Sequence, residues 1–301
     1  MRAGLLAVSV ALACLAWLAG CGQGDDDDGD GGDPGAPLLA RFAITPVAPG
    51  AEAQRDVQGV LQNAAPVWVQ RIDWTAPAGL HHSRLDAPPD DSTHFYPVLA
   101  LPVGVSTGSV TFPPGYALAL AAHQRLNVSY HFLNLGSAAI TGEIETRFTP
   151  APAGTTPIPI AMLALMNNAI EIPARGEATV ETTCPLPDRA IALHSLASHT
   201  HQRGIGVDAF VVGGAHDGER VYSTTAWSDA PVVGFDPPLE LEAGTRLRFV
   251  CRFRNPTDTV VRYGAGGSDE MCGVFAHYSP GSGPWGAVVA AAGQPCVAAV
   301  R

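Results

Sequence analysis

Apolar positions along this chain recur with a period of two far more often than with the 3.6-residue period of a helix. The clearest case is Arg246-Leu247-Arg248-Phe249-Val250-Cys251-Arg252-Phe253, where Leu247, Phe249, Cys251 and Phe253 fall on one face and three arginines on the other. Similar runs occupy residues 67–74, 124–133, 140–148, 178–183, 190–201 and 206–212, all short and bounded by turn residues. No long stretch combines helical spacing with caps. The pattern predicts an all-β chain built as two tandem antiparallel β-sandwiches of jelly-roll type.

The break between them is expected at Thr149-Pro150-Ala151-Pro152-Ala153-Gly154-Thr155-Thr156-Pro157, where Pro and Gly interrupt pairing and strand-like sequence resumes at Ile158. This gives units at residues 38–152 and 153–301, with no repeat between them. The first 37 residues read differently. Residues 1–20 form a leader with Arg2 at its start, an apolar run, and Leu18-Ala19-Gly20-Cys21 at its end, a lipobox pattern that predicts cleavage before Cys21 and lipidation of that cysteine. Residues 21–37, with Asp25 to Asp28 in succession, are too polar and too charged to fold and form a tether. An exported bacterial lipoprotein follows, held to a membrane by its anchor. Gly22 offers no aspartate retention signal, so the expected place is the outer membrane or cell surface.

Composition narrows the function. The formal net charge is -11, of which six aspartates of the tether account for more than half, leaving about -5 for the rest of the chain. The 17 basic residues are scattered and form no patch, which excludes nucleic acid as a partner. Of six cysteines, Cys14 lies in the leader and Cys21 carries the lipid. Cys184, Cys251, Cys272 and Cys296 remain, enough for two disulfides in an exported chain, and three pairings are possible. None stands in C-x-x-C spacing, which argues against a zinc ribbon.

The chemistry concentrates in histidines. His199 and His201 stand two apart in a strand-like run, so both rings can point to one side and at one metal ion, and the thioether of Met271 in Asp269-Glu270-Met271-Cys272 can complete the set. Two imidazoles and a thioether suit copper cycling between its two oxidation states better than zinc or magnesium. A second group is His81-His82 with His131. Neighbours in a regular strand face opposite ways, so His81 and His82 can share an ion only at a bend, which Pro77 and Gly79 upstream permit. His94 and His123 are rival third ligands that read as surface histidines. The plain alternative is polar residues on half-exposed strands with Met271 filling core.

In order and spacing these motifs resemble the copper type II, ascorbate-dependent monooxygenases, the family of peptidylglycine alpha-hydroxylating and dopamine beta-monooxygenases. The resemblance takes in the His-His pair, a Pro-rich strand like Phe112-Pro113-Pro114-Gly115-Tyr116, His131, the H-x-H followed by Gly204, and the closing D-E-M-C. It implies two coppers per chain: one for electron transfer at His81, His82 and His131, and one catalytic at His199, His201 and Met271. It also implies disulfides Cys184–Cys296 and Cys251–Cys272, the second pinning the strand of Met271. The implied activity is hydroxylation of a C–H bond of a small molecule, with O2 and ascorbate or a similar one-electron reductant. Two departures argue against peptide amidation. Ala197 and Phe275 stand where the amidating enzymes have an arginine and a tyrosine, so a substrate carboxylate loses its charge-assisted bonds. A copper-holding lipoprotein without catalysis, or a metal-free binding module on the same scaffold, are the other functions such a chain can serve.

Overall fold

The computed structural model describes residues 36–88, 97–101, 106–283 and 285–300; the leader, Cys21, most of the tether and His94 lie outside the described residues. Every regular element among the described residues is a β-strand. The periodic runs become strands Val67–Thr75, Arg125–Leu133, Glu177–Pro185, Gly204–Val212 and Arg246–Arg254. In the last of these Leu247, Phe249, Cys251 and Phe253 are all fully buried, as the alternation requires.

Three sequence expectations shift in detail. Ile140 makes only an isolated bridge to Val47, because Gly142 with a φ of 127° turns the chain before strand Glu143–Pro150 begins. Phe112 to Tyr116 is not a strand. Its prolines cannot donate to a ladder and Gly115 has a φ of 86°, so the segment is a turn in which the Tyr116 N–H donates to the Pro113 carbonyl. The strand expected over 190–201 is Ile191–His199, so His201 lies in the turn beyond its end.

Two four-stranded sheets pack against opposite stretches of one eleven-stranded sheet. In the first core, Phe42, Ile72, Leu118 and Phe148 of the large sheet meet Leu126, Tyr130, Phe132 and Leu85 of the small sheet containing Glu52–Val60, Arg125–Leu133, Leu80–Asp86 and Pro97–Leu101. In the second, Leu163, Leu165, Leu193, Leu196 and Val274 meet Val180, Val207, Phe249 and Phe253 of the sheet containing Glu177–Pro185, Arg246–Arg254, Gly204–Val212 and Arg220–Thr224. Each is a β-sandwich closed by apolar inner faces. Strand Ile158–Asn167 joins the two stretches. Its start runs parallel to Tyr116–Leu120, and its remainder pairs with Gly273–Ser279 and Trp285–Val289.

Alternation gives the second sandwich two faces of different use. Leu193, Leu196, Val274 and Ala276 point into its core, whereas Ser195, Ala197 and His199 share the other face with Phe275 and His277. Residues of the first sandwich cover this second face: the His277 Nε2–H donates to the Val98 carbonyl at 3.2 Å, and the ring of Phe112 lies 5.1 Å from that of His277.

Burial pushes the His277 pKa down to about 4, and that of His194, on the same strand as Ser195, also to about 4. A histidine whose folded pKa is depressed supports the fold above its unfolded pKa and loses that support as pH falls through the interval between 6.5 and 4. Between pH 7 and pH 5 we expect His277 alone to remove about 2 kcal/mol of stability. Urea unfolding at the two pH values measures it. A His277→Gln variant should flatten the dependence, and an unchanged slope would rule His277 out as its source.

Candidate metal centre

Five histidines from three separate parts of the chain converge. His81 and His82 open strand Leu80–Asp86, where a bulge between Leu80 and His82 turns both rings to one side, the bend that adjacent ligands need. His131 is the partner of His82 across the ladder. His199 ends strand Ile191–His199, and His201 follows in the turn. The ring of His82 lies 5.0 Å from that of His199, 5.2 Å from His131 and 5.7 Å from His201, and the ring of His81 lies 5.4 Å from His201. Ligand nitrogens of His81, His82 and His131 all fall within 4.8 Å of one another, as do those of His82, His199 and His201. The two expected groups therefore meet, with His82 common to both.

The turn bearing His201 has its own supports. Glu270, fully buried, accepts the backbone N–H groups of His201 and Arg203, each at 2.8 Å. Burial raises its pKa to about 7 although both hydrogen bonds favour the ionised form. The Asp269 carbonyl accepts the His201 Nδ1–H at 3.0 Å. Gly204 closes the turn because a Cβ there would lie 2.7 Å from the Thr200 Cβ and closer still to its hydroxyl. Gly204→Ala should cost about 1–3 kcal/mol through this overpacking, with a matching fall in metal affinity. Chemical unfolding and a copper titration of the variant test both, and unchanged values in the two would remove the turn's dependence on glycine.

The donor set fits a metal. His201 Nε2 and His131 Nδ1 are buried and have no hydrogen-bond partner, while the other nitrogen of each ring is tied, to Asp269 and to the Glu52 carboxylate at 3.1 Å. This division, one nitrogen fixed from behind and one lone pair bare, is how proteins orient imidazole ligands. His81 Nδ1 and His82 Nδ1 stand 3.1 Å apart. Burial first, and neighbouring imidazoles second, push His81 down to about 4 and His199 to about 3, and lower His82 and His201 as well. Neutral rings at pH 7 leave their lone pairs available.

The remaining expected residues are placed as follows. Cys184–Cys296 and Cys251–Cys272 are both bridged, with Cα separations of 5.0 and 6.0 Å. Half-buried Met271 stands two residues before Gly273, the Cα partner of His199. His123 sits in an exposed turn with a φ of 49°, outside both groups. Ala197 and Phe275 are Cα partners on the face that carries His199. The sequence reading missed Glu52, Glu270 and Trp227, whose ring lies 6.2 Å from that of His81. It also missed Met166, the Cα partner of Gly273, whose sulfur fills the space a side chain at Gly273 would take. Only Glu270 had a visible cue, its place within D-E-M-C.

Comparison with known proteins adds one match of sequence. Residues 160–285 match the family described as copper type II ascorbate-dependent monooxygenase, C-terminal domain. No curated protein matches the chain. Among solved structures, the STIV MCP is similar at 9% identity and a TM-score of 0.34, covering 80% of this chain and 96% of that one. The VP2 subviral particle of infectious bursal disease virus is similar at 9% identity and a TM-score of 0.19, covering 80% and 71%. Scores so low say nothing about this chain's chemistry. Residues 160–285, which hold His199, His201, Met271 and three of the four bridged cysteines, are thus similar in sequence to the C-terminal domain of the copper type II, ascorbate-dependent monooxygenases.

Proposed function

We propose that this protein is an exported, lipid-anchored copper monooxygenase that hydroxylates a C–H bond of a small molecule and does not amidate peptides. The observation that carries the reading is the convergence of five imidazoles, two of them with bare buried nitrogens and two of them within the segment whose sequence matches that family. His81, His82 and His131 would hold one copper, and His199, His201 and Met271 a second, with a nitrogen of His82 within reach of both. Copper there would supply one-electron chemistry and activation of O2. One oxygen atom enters the C–H bond and the other leaves as water, with two electrons from an ascorbate-class donor used twice and two protons from solvent.

The chain's own residues position these ligands. Glu270 fixes the backbone of the His201 turn, Asp269 and Glu52 orient the rings of His201 and His131, and Cys251–Cys272 anchors the residue next to Met271. Ala197 offers no cation for a substrate carboxylate. The sandwiches are taken as units at 38–152 and 153–301. Two disulfides suit an oxidising compartment outside the cytoplasm.

Met271→Leu keeps size and apolarity while removing the thioether. The variant should fold with an unchanged melting temperature and lose ascorbate-dependent oxygen uptake by more than about 100-fold. Wild-type turnover in a folded Met271→Leu protein would defeat the assignment.

A further inference from the structure

The sheet face that carries His199 continues away from the imidazoles as a series of rungs. Cross-strand partners set three of them: Met166, Gly273 and His199; then Ala164, Phe275 and Ala197; then Met162, His277 and Ser195. Paired residues and residues two apart share a face, so each rung lies ~7 Å from the next on one surface. The second and third rungs floor a cavity of about 70 Å³ walled by Trp74, Leu99 and Val110 and open at a rim that carries the exposed Ser109 and Val232.

No Asp, Glu, Lys or Arg lines this cavity. Besides exposed Ser109 at the rim, two polar groups matter. The His277 Nε2–H donates to the Val98 carbonyl, so His277 Nδ1 carries the lone pair and accepts a hydrogen bond from the Ser195 hydroxyl at 3.0 Å, leaving the Ser195 oxygen able to accept another. The Trp74 Nε1–H is buried without a partner, in a side chain that lines the cavity. Buried donors are rarely left so, and one that is asks for a ligand. A carboxylate or ammonium here would be desolvated with no countercharge. The volume corresponds to about two waters, room for only the short end of a molecule.

We propose that this cavity receives the substrate, and that the substrate is a small uncharged molecule joining a short apolar chain to one hydroxyl. The hydroxyl donates to the Ser195 oxygen and accepts from the Trp74 Nε1–H. Ser195 lies on the rung farther from His199, so the apolar chain runs over Ala197 and Phe275 toward the imidazoles. The proposal rests on the copper reading above and names the substrate class for it.

Ligand-observed saturation-transfer NMR on the full-length protein, stripped of metal, tests it with 1-propanol, propionate and propylammonium. We expect 1-propanol to bind more than about tenfold tighter than either ion. Ser195→Ala should weaken it about fivefold, and Ala197→Leu, which fills the cavity, should abolish it, with melting curves checking that both variants are folded. Equal binding of the three probes, preference for an ion, no binding of 1-propanol, or indifference to both substitutions would each overturn the proposal. Copper stoichiometry and ascorbate-dependent oxygen uptake, measured on the same preparations, separate the two failures. Retained uptake without 1-propanol binding sinks the substrate class alone, whereas a protein that takes no copper sinks the oxidation reading and leaves the cavity result standing.

Discussion

Replacing His82 with alanine should weaken both imidazole groups at once. His82 contributes a nitrogen to each triad, whereas His81 and His131 belong to one and His199 and His201 to the other. Metal analysis of His81→Ala and His199→Ala should therefore report partial loss, and His82→Ala should report loss approaching the empty protein. Removing a residue that merely orients a ligand already costs 10–100-fold in affinity, so removing a shared ligand should cost more than about 100-fold. Oxygen uptake should fall by a similar factor. If His82→Ala retains as much copper as the two single-group variants, the triads do not share it in solution.

The second large effect concerns the disulfides, which should separate stability from metal binding. Cys184–Cys296 spans 112 residues and Cys251–Cys272 only 21. Chain entropy released on removing the longer link is worth about 5 kcal/mol, against about 3 kcal/mol for the shorter. The Cys184→Ala/Cys296→Ala protein is expected to show the larger fall in urea midpoint with copper affinity held while folded. Cys251→Ala/Cys272→Ala should lose less stability but bind copper more weakly, because Cys272 adjoins Met271 and its bridge fixes that segment. Unfolding curves and copper titrations of the two double variants, compared pairwise, give the answer; proportional losses in both would deny the division of labour.

Much of this was legible from local pattern. The alternation in Arg246–Arg254 predicted both the strand and its fully buried face, and strand boundaries elsewhere fell within a few residues. The disulfide partners followed from the family resemblance, not from spacing, since three pairings were open. What stayed hidden depends on how distant segments cross. The meeting of His82 with His199 joins residues more than a hundred apart, and no periodicity encodes it. Glu52 reads as one charged residue in an exposed strand until its partner His131 is placed beside it. H-x-H satisfies a two-residue period whether the second ring sits on a strand or in a turn, so the pattern alone does not place His201; the buried Glu270 carboxylate, holding two N–H groups there, decides for the turn. His277 and Ser195 went unnoticed because single polar residues in an apolar run are indistinguishable from solvent-facing ones.

Strand Ile158–Asn167 also sets the order in which this molecule can be completed. Its first residues find their partner in Tyr116–Leu120, already synthesised, but its other neighbours, Gly273–Ser279 and Trp285–Val289, come more than a hundred residues later. Until they arrive, an apolar strand containing Ile160, Leu163 and Leu165 waits as an open edge, the kind of edge that pairs with other chains. Pairings this remote in sequence also close slowly. A chain cut short before residue 273 would leave that edge open and should aggregate more readily than the full chain.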